Sequence, residues 1–262
     1  MTIGRGKGRA LMSFALAAAL SVPGAGFFAA PVSAWSSAPA TASSGETPST
    51  AVVATDGRRA VTVRQAVKKP KIHRMLIPFP IKRKHQMSRY SKRHYGKRGW
   101  RLEDPKTIVE HYSVTGSVRA IYNTFAPDHP DLEFGELPNV CSHFAVSPTG
   151  HIYQFVPLGT RCRHTVGLND VAIGIEHVGY SDRDVMGNRL ERKASIKLTW
   201  WLRCRFDIPI KYVIGHNESL DSPFHHELVP SLKFQTHGDM RHATMVKYRK
   251  ALRAKGQCRT ER

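Results

Sequence analysis

Five side chains downstream of residue 100 carry the groups that metal-assisted hydrolysis needs: His111, Glu176, His216, His237 and Asp239. Three of them, His111, Glu176 and His216, end or interrupt β-branched apolar runs, and such runs favour buried strands. The end of a strand is a rigid mount for a side chain that must bind a metal ion. Imidazole and carboxylate groups are common protein ligands of zinc. The pattern therefore predicts a hydrolytic zinc site.

The elements that must position these groups form an α/β fold with a mixed central β-sheet flanked by helices. The predicted elements are strands over 107–112, 172–178 and 212–216, a hairpin that pairs 142–146 with 151–156, and helices near 117–125, 191–206 and 240–254. The helix over 191–206 is well marked, because Leu198, Leu202 and Phe206 recur at helical spacing.

The N-terminal part of the chain differs in composition from this region. Residues 1–34 predict a secretory signal peptide, because basic residues precede a short apolar core and a small-residue cleavage site. An uncleaved membrane anchor is the alternative, and it is disfavoured because Pro23 and Gly24 break the apolar run. Residues 35–56 are rich in Ala, Ser, Thr and Pro and predict a flexible linker. We therefore expect a secreted protein of the cell envelope.

The segment 57–102 is a basic arm that contains 16 Lys and Arg residues and no Asp or Glu. From 103 to 262 the chain carries 21 basic and 18 acidic residues, so the arm accounts for most of the net charge of +20. A segment with such a high density of positive charge attracts polyanions. We expect the folded domain to cover 103–256 and the arm to precede it.

The four cysteines are Cys141, Cys162, Cys204 and Cys258. In an exported protein they could form two disulfides in any of three connectivities, or they could remain free buried thiols. None has the CxxC spacing of a cysteine zinc finger.

Six short motifs occur in an order that is typical of a known family. They are Ile108-Val109-Glu110-His111-Tyr112, Ser142-His143-Phe144, Ile152-Tyr153-Gln154-Phe155-Val156-Pro157, Arg163-His164, Ile173-Gly174-Ile175-Glu176 and Ile214-Gly215-His216-Asn217-Glu218. On these motifs, residues 105–254 resemble the type 2 N-acetylmuramoyl-L-alanine amidases, a zinc family that includes phage and bacterial wall amidases and animal peptidoglycan recognition proteins. One motif departs from the family pattern, since Arg163-His164 stands where Trp-His is usual.

The resemblance implies a single zinc amidase domain and one Zn²⁺ per chain. It assigns the metal ligands to His111, His216 and Asp239, and two imidazoles with one carboxylate leave one of the four positions of zinc open for catalysis. His237 precedes Asp239 by two positions, where related enzymes have a catalytic Lys. A shifted alignment with the family would instead make His237 the third ligand.

The remaining roles also follow from the resemblance. Glu176 would be the general base that accepts a proton from the attacking water. His237 would be catalytic, by stabilising the oxyanion or by protonating the departing amine. Tyr112 and His164 would line the substrate groove.

Glu176 and the pair Asn217-Glu218 each have a plainer interpretation as well. Taken alone, Glu176 could be a buried structural acid that pairs with Arg161 or Arg163. The pair Asn217-Glu218 either orients the imidazole of His216 or caps the following turn.

The function that the resemblance implies is hydrolysis of the amide bond between the lactyl group of N-acetylmuramic acid and L-alanine of the peptidoglycan stem peptide. The alternative is a non-catalytic peptidoglycan-binding protein, although such proteins typically lose a zinc ligand and all three positions are filled here. We expect a monomer whose partners are peptidoglycan and, through the basic arm, anionic wall polymers. A solvated arm without a partner is the alternative, and we expect no nucleic acid as a partner in vivo.

Overall fold

The structure, a computed structural model, describes residues 67–256 and Cys258. Its strands and helices, in chain order, are β1 (Ile72–Arg74), α1 (Ile81–Tyr95), β2 (Thr107–Tyr112), α2 (Val118–Phe125), β3 (Phe144–Val146), β4 (Ile152–Gln154), β5 (Ala172–His177), α3 (Asp182–Gly187), α4 (Arg189–Arg205), β6 (Val213–Gly215) and α5 (His242–Arg253). The predicted signal peptide and linker, and residues 57–66 of the predicted arm, lie outside the described residues.

The six strands form one mixed sheet in the order β1-β4-β3-β5-β2-β6. Strands β3 and β4 are antiparallel, as the predicted hairpin requires, and every other neighbouring pair is parallel. Nearly every residue of β2 and β5 is buried, which is typical of parallel strands that are covered on both faces. The α/β class predicted from the sequence is confirmed.

The larger core cluster brings apolar residues of the central strands together with those of α4 and α5. Ile108 and Ile173 belong to it, as do Leu198 and Leu202, which are buried one turn apart on α4. The side chain of Asn188 begins α4 by accepting hydrogen bonds from the first backbone N–H groups of the helix. The helix predicted over 191–206 is therefore confirmed, with bounds shifted by one or two residues.

The start of the folded domain differs from the expected boundary at residue 103. Strand β1 pairs in parallel with β4, with Ile72 opposite Ile152, and α1 buries Met87 and Tyr90 in a separate apolar cluster. Most of the predicted basic arm is thus part of the folded unit. The sequence pattern missed α1 because much of its buried face is polar, with Arg83, Gln86, Ser91 and His94 buried beside the two apolar residues.

The four cysteines form two disulfides, Cys141–Cys162 and Cys204–Cys258. One of the three possible connectivities is thereby selected, and the alternative of free thiols does not hold. None of the helices in the described part of the chain is both long enough and apolar enough to cross a lipid bilayer.

Candidate metal centre

Strand register brings the first three candidate residues to one edge of the sheet. In the pairing of β2 with β5, His111 lies directly opposite Glu176. In the pairing of β2 with β6, Glu110 lies opposite Gly215. The residues that follow them, His111 and His216, therefore lie next to each other. All three strands are parallel, and their carboxyl ends meet at this edge, where open α/β sheets commonly bind ligands.

Asp239 reaches the same edge from the loop before α5 because Gly215 has no side chain. A Cβ atom on Gly215 would lie 1.7 Å from the carbonyl oxygen of Met240, so the two backbone segments could not approach as they do. The backbone N–H of Asn217 donates a hydrogen bond of 3.0 Å to the carbonyl oxygen of Asp239. These contacts hold the loop against the end of β6.

His111, His216 and Asp239 form a compact set of metal-binding groups. The Nδ1 atoms of His111 and His216 each lie 3.2 Å from a different carboxylate oxygen of Asp239. One potential ligand atom from each residue lies within 4.8 Å of the other two. The Nε2 atom of His216 is buried and has no hydrogen-bond partner. Two imidazoles whose Nδ1 atoms converge on one carboxylate fit a zinc ion.

The protonation states of two of these ligands, His216 and Asp239, favour metal binding. Burial opposes protonation of the third, His111, but the nearby carboxylates of Glu176 and Asp239 raise its pKa, so this imidazole must release its proton when a metal binds. Burial lowers the pKa of the His216 imidazole to about 4. Burial opposes ionisation of Asp239, but hydrogen bonds with His111 and His216 hold the pKa of its carboxyl group below the usual range. A neutral imidazole and an ionised carboxylate are the forms that coordinate a metal.

Glu176 lies beside the three-residue group with its side chain largely buried. Burial, and to a smaller extent the negative charge of Asp239, raises the pKa of Glu176 to about 7, while His111 acts in the opposite direction. The structural ion pair considered for Glu176 does not form, because Arg163 binds the carboxylate of Asp131 at 2.8 Å. The other candidate partner, Arg161, donates to Ser91 and Gly99.

His237 lies next to the metal-binding group without belonging to it. Its ring stacks on that of His216 with centroids 4.7 Å apart and an interplanar angle of 8°. Its Nε2 atom lies 3.1 Å from Oε1 of Glu133. The alternative alignment, in which His237 replaces Asp239 as a ligand, therefore has less structural support.

All seven residues assigned to the site line one cavity of about 360 Å³. His164 is held there by Thr165, whose Oγ1 lies 2.9 Å from its Nδ1, and this nitrogen also lies 3.2 Å from Nε2 of His111. Gly174 makes room for the ring, since a Cβ atom there would lie 2.7 Å from His164. Tyr112, at the end of β2, contributes another part of the wall.

Sequence reasoning missed Glu133 as part of the cavity wall. It belongs to an irregular loop in which the carboxylate of Asp131 accepts the backbone N–H groups of residues 133, 134 and 136. The sole signal in the sequence was Asp131 itself, a residue type that often organises turns. Glu133 also accepts a hydrogen bond of 3.2 Å from Gln235, so it joins the loops on both sides of the cavity.

The two interpretations of Asn217-Glu218 are separated by their contacts. The carboxylate of Glu218 accepts from the backbone N–H of Gly215 and from Arg249, so it caps the turn after β6. Its contacts do not include the imidazole of His216.

Comparison with known proteins adds a family match. Residues 101–227 match the family model described as N-acetylmuramoyl-L-alanine amidase. No curated protein matches the chain.

Several solved structures are also similar to this chain. One is the N-acetylmuramoyl-L-alanine amidase endolysin LysCS from Clostridium intestinale URNW, at 19% identity over 55% of this chain and 80% of that one, with a TM-score of 0.38. A second is PlyL, at 14% identity over 57% of this chain and 82% of that one, with a TM-score of 0.41. A third is an AmpD derivative, at 18% identity over 70% of this chain and 97% of that one, with a TM-score of 0.43.

Proposed function

Because residues 101–227 match the family model described as N-acetylmuramoyl-L-alanine amidase, we propose that the protein is a zinc-dependent peptidoglycan amidase of the cell envelope. Its reaction is hydrolysis of the amide bond between the lactyl group of N-acetylmuramic acid and L-alanine of the stem peptide. The observation that carries this proposal is the grouping of His111, His216 and Asp239 beside the buried carboxyl group of Glu176.

His111, His216 and Asp239 would hold one Zn²⁺ per chain. The convergence of both Nδ1 atoms on the carboxylate of Asp239 supports this assignment, because two imidazole nitrogens and a carboxylate oxygen are a common ligand set of catalytic zinc. When bound, zinc would act as a Lewis acid toward the amide carbonyl and lower the pKa of coordinated water to about 7.

Glu176 would take the proton from the attacking water and deliver it to the departing amine. A carboxyl group with a pKa of about 7 can both accept and release a proton near neutral pH. Its position opposite His111 in the strand register keeps the carboxylate beside the metal-binding group.

His237 would donate a hydrogen bond to the oxygen on which negative charge develops. Its stacking on His216 and its contact with Glu133 fix the ring at the mouth of the cavity. Tyr112 and His164 would contact the substrate from the cavity wall.

The proposal includes export and a second partner. Residues 1–34 would direct secretion, and anionic wall polymers would bind the basic residues that precede the amidase domain. The basic segment 57–102 contains no Asp or Glu to neutralise it internally, which supports an anionic partner. The protein would act as a monomer.

Digestion of purified peptidoglycan by the full chain tests the enzymatic function. We expect new amino-terminal L-alanine and new lactyl carboxylates, and we expect both to disappear when a chelator removes zinc. The matched control is Glu176→Gln, which preserves the shape of the side chain but not its proton transfer. Binding of peptidoglycan without release at full zinc occupancy would assign the protein to the non-catalytic alternative.

A further inference from the structure

Helix α1 presents a row of basic side chains on its exposed face. Lys82, His85, Arg89 and Lys92 follow one another at intervals of three or four residues and are all exposed; we call them the α1 stripe. At about 1.5 Å of rise per residue, neighbouring side chains are spaced by roughly 4.5–6 Å along the helix axis. The stripe is therefore a linear array of basic groups, in which Lys82, Arg89 and Lys92 carry the positive charge.

The positive charge of the α1 stripe is not neutralised by nearby carboxylates. Asp128 approaches the buried Arg83 at 3.9 Å, and Glu136 pairs with Arg93 at 2.7 Å. Within the described residues, no carboxylate oxygen forms an ion pair with Lys82 or Arg89. Unpaired cations arranged in a row favour a linear polyanion.

A cleft beside the stripe provides a second, independent observation. It has a volume of about 340 Å³ and is lined by Gln86, Arg89, Tyr90, Arg93, Gly135, Glu136 and Leu137. Gln86 is 2% exposed, and its Oε1 atom has no hydrogen-bond partner. The carboxamide of Gln86 thus lies buried at the edge of the cleft.

Two arginines give the cleft the chemistry of an oxyanion site. Arg89 and Arg93 lie one helical turn apart and both line it, and guanidinium groups bind phosphate oxygens in a bidentate manner. The negative charge of Glu136 is already compensated, because its carboxylate contacts Arg93, His94 and Arg163 at 2.7–3.3 Å. Arg93 is itself one of these partners, so the positive charge that the cleft retains is that of Arg89.

The kind of polyanion is narrowed by the aromatic residues around α1. Proteins that bind single-stranded nucleic acid stack its bases on accessible aromatic rings. Tyr90 and Tyr95 are 1% and 6% exposed, and Trp100 is covered by Lys84 and Arg101, whose charged groups lie 4.6 and 4.5 Å from its ring. The described surface of α1 thus lacks a platform for bases.

We propose that the α1 stripe and its cleft form a binding site for a linear phosphodiester polymer without bases, such as a polyol phosphate. One phosphate lies in the cleft between Arg89 and Arg93, and its neighbours follow the stripe. The cleft and the catalytic cavity share Tyr90 as a common wall, so a bound polymer would keep the cavity close to the surface that carries it. This inference rests on the proposed function, which assigns an anionic partner to the basic segment, and it adds the place on α1 and the chemistry of that partner.

Binding of the full chain to inorganic polyphosphate at several salt concentrations tests this site. The test variant combines Lys82→Gln, Arg89→Gln and Lys92→Gln. The control combines Lys193→Gln, Lys197→Gln and Lys247→Gln, which removes the same charge from exposed positions of α4 and α5. Each phosphate contact contributes about −0.7 to the slope of log K against log salt, so the test variant should flatten the slope by roughly 2 and the control should not.

Two further measurements complete the experiment. Arg89→Lys keeps the charge but not the bidentate geometry. We expect it to weaken binding several-fold, while the slope of log K against log salt changes by less than the value of about 0.7 that belongs to one phosphate contact. Equal losses in the test and control variants would overturn the proposed site, and tighter binding of oligothymidylate than of polyphosphate with the same number of phosphates would overturn the proposed ligand. Amidase activity on a soluble muropeptide is measured separately. Absence of that activity would contradict the proposed enzymatic function but would not affect the interpretation of polyphosphate binding.

Discussion

Glu176 and Asp239 are neighbouring buried carboxyl groups whose surroundings shift their pKa values in opposite directions. Burial raises the pKa of Glu176 to about 7, whereas the hydrogen bonds of Asp239 with His111 and His216 outweigh its burial and lower the pKa of its carboxyl group. Carboxyl groups separated in this way commonly divide acid–base and charge-stabilising roles. This contrast supports Asp239 as the ligand and Glu176 as the group that transfers protons.

Two substitutions separate these roles at the level of single residues. We expect Asp239→Ala to lose zinc, because it removes a carboxylate that contacts both imidazoles. We expect Glu176→Gln to retain about one zinc per chain but to lower kcat by roughly 10²–10⁴-fold, the usual contribution of general acid–base catalysis. Metal analysis and turnover of each purified variant provide the test. Full zinc content in Asp239→Ala, with loss in His237→Ala, would reassign the third ligand to His237.

Glu191 provides a prediction about pH and stability that is independent of the metal centre. Its carboxyl group is fully buried in the first turn of α4. Burial, opposed by the backbone of Val178 and aided by the charge of Asp184, raises its pKa from 4.5 to about 8. The native state therefore keeps this proton at pH values where the unfolded chain loses it, and stability falls as the pH rises from about 4.5 to 8.

Glu191→Gln should remove this part of the pH dependence. The free energy of unfolding of the unsubstituted protein should fall relative to that of Glu191→Gln by at most about 1.4 kcal/mol per pH unit across the window. Denaturant unfolding from pH 5 to pH 8 measures the difference, and the exposed Glu103→Gln serves as the control. Parallel stability curves for the unsubstituted protein and Glu191→Gln would contradict the prediction.

Among the strands and helices, sequence patterns predicted the segments whose apolar residues recur at a regular spacing and missed the segments that lack such a recurrence. The strands that hold His111, Glu176 and His216 are β-branched runs, and α4 has a clear apolar stripe, so both were predictable. The placement of Asp239 was assigned by family resemblance, since a loop has no period. Helix α1 was missed because its buried face combines apolar and polar side chains, and the loop of Glu133 depends on contacts distant in sequence.

A pair of substitutions in α1 tests whether this helix belongs to the folded unit. Met87 is fully buried, so Met87→Ala should lower the free energy of unfolding by about 2–5 kcal/mol. Ile81, in the same helix, is 66% exposed, and Ile81→Ala should change stability by no more than about 0.5 kcal/mol. Urea unfolding of the full chain gives both values. Equal, small effects would mean that α1 does not pack on the domain in solution.

At the scale of the whole molecule, the Cys204–Cys258 disulfide ties the end of the described chain back to α4. Its two cysteines are 54 residues apart, and the segment between them includes β6, the loop of Asp239 and α5. The loop of chain that this disulfide closes therefore contains much of the candidate metal centre. The basic α1 stripe lies outside this loop, so polymer binding and metal binding draw on separate parts of the molecule.

Removal of this link should weaken the fold without changing the ligands of the metal. We expect the combined substitution Cys204→Ser and Cys258→Ser to lower the free energy of unfolding by about 2–4 kcal/mol. Zinc content at a temperature well below the unfolding transition should stay near one per chain. Thermal unfolding with metal analysis tests both parts, and unchanged stability would show that the disulfide contributes nothing to the native state.

Zinc dependence of the amidase reaction can be tested by titrating the metal-stripped full chain with zinc while cleavage of a soluble muropeptide is followed. We expect no cleavage without metal, an increase in rate that saturates at one equivalent of zinc, and a product with a free amino group on L-alanine. The same titration of Glu176→Gln should bind one equivalent and remain inactive. Full cleavage by the metal-free chain, or no cleavage at any zinc content, would show that the protein is not a zinc-dependent amidase.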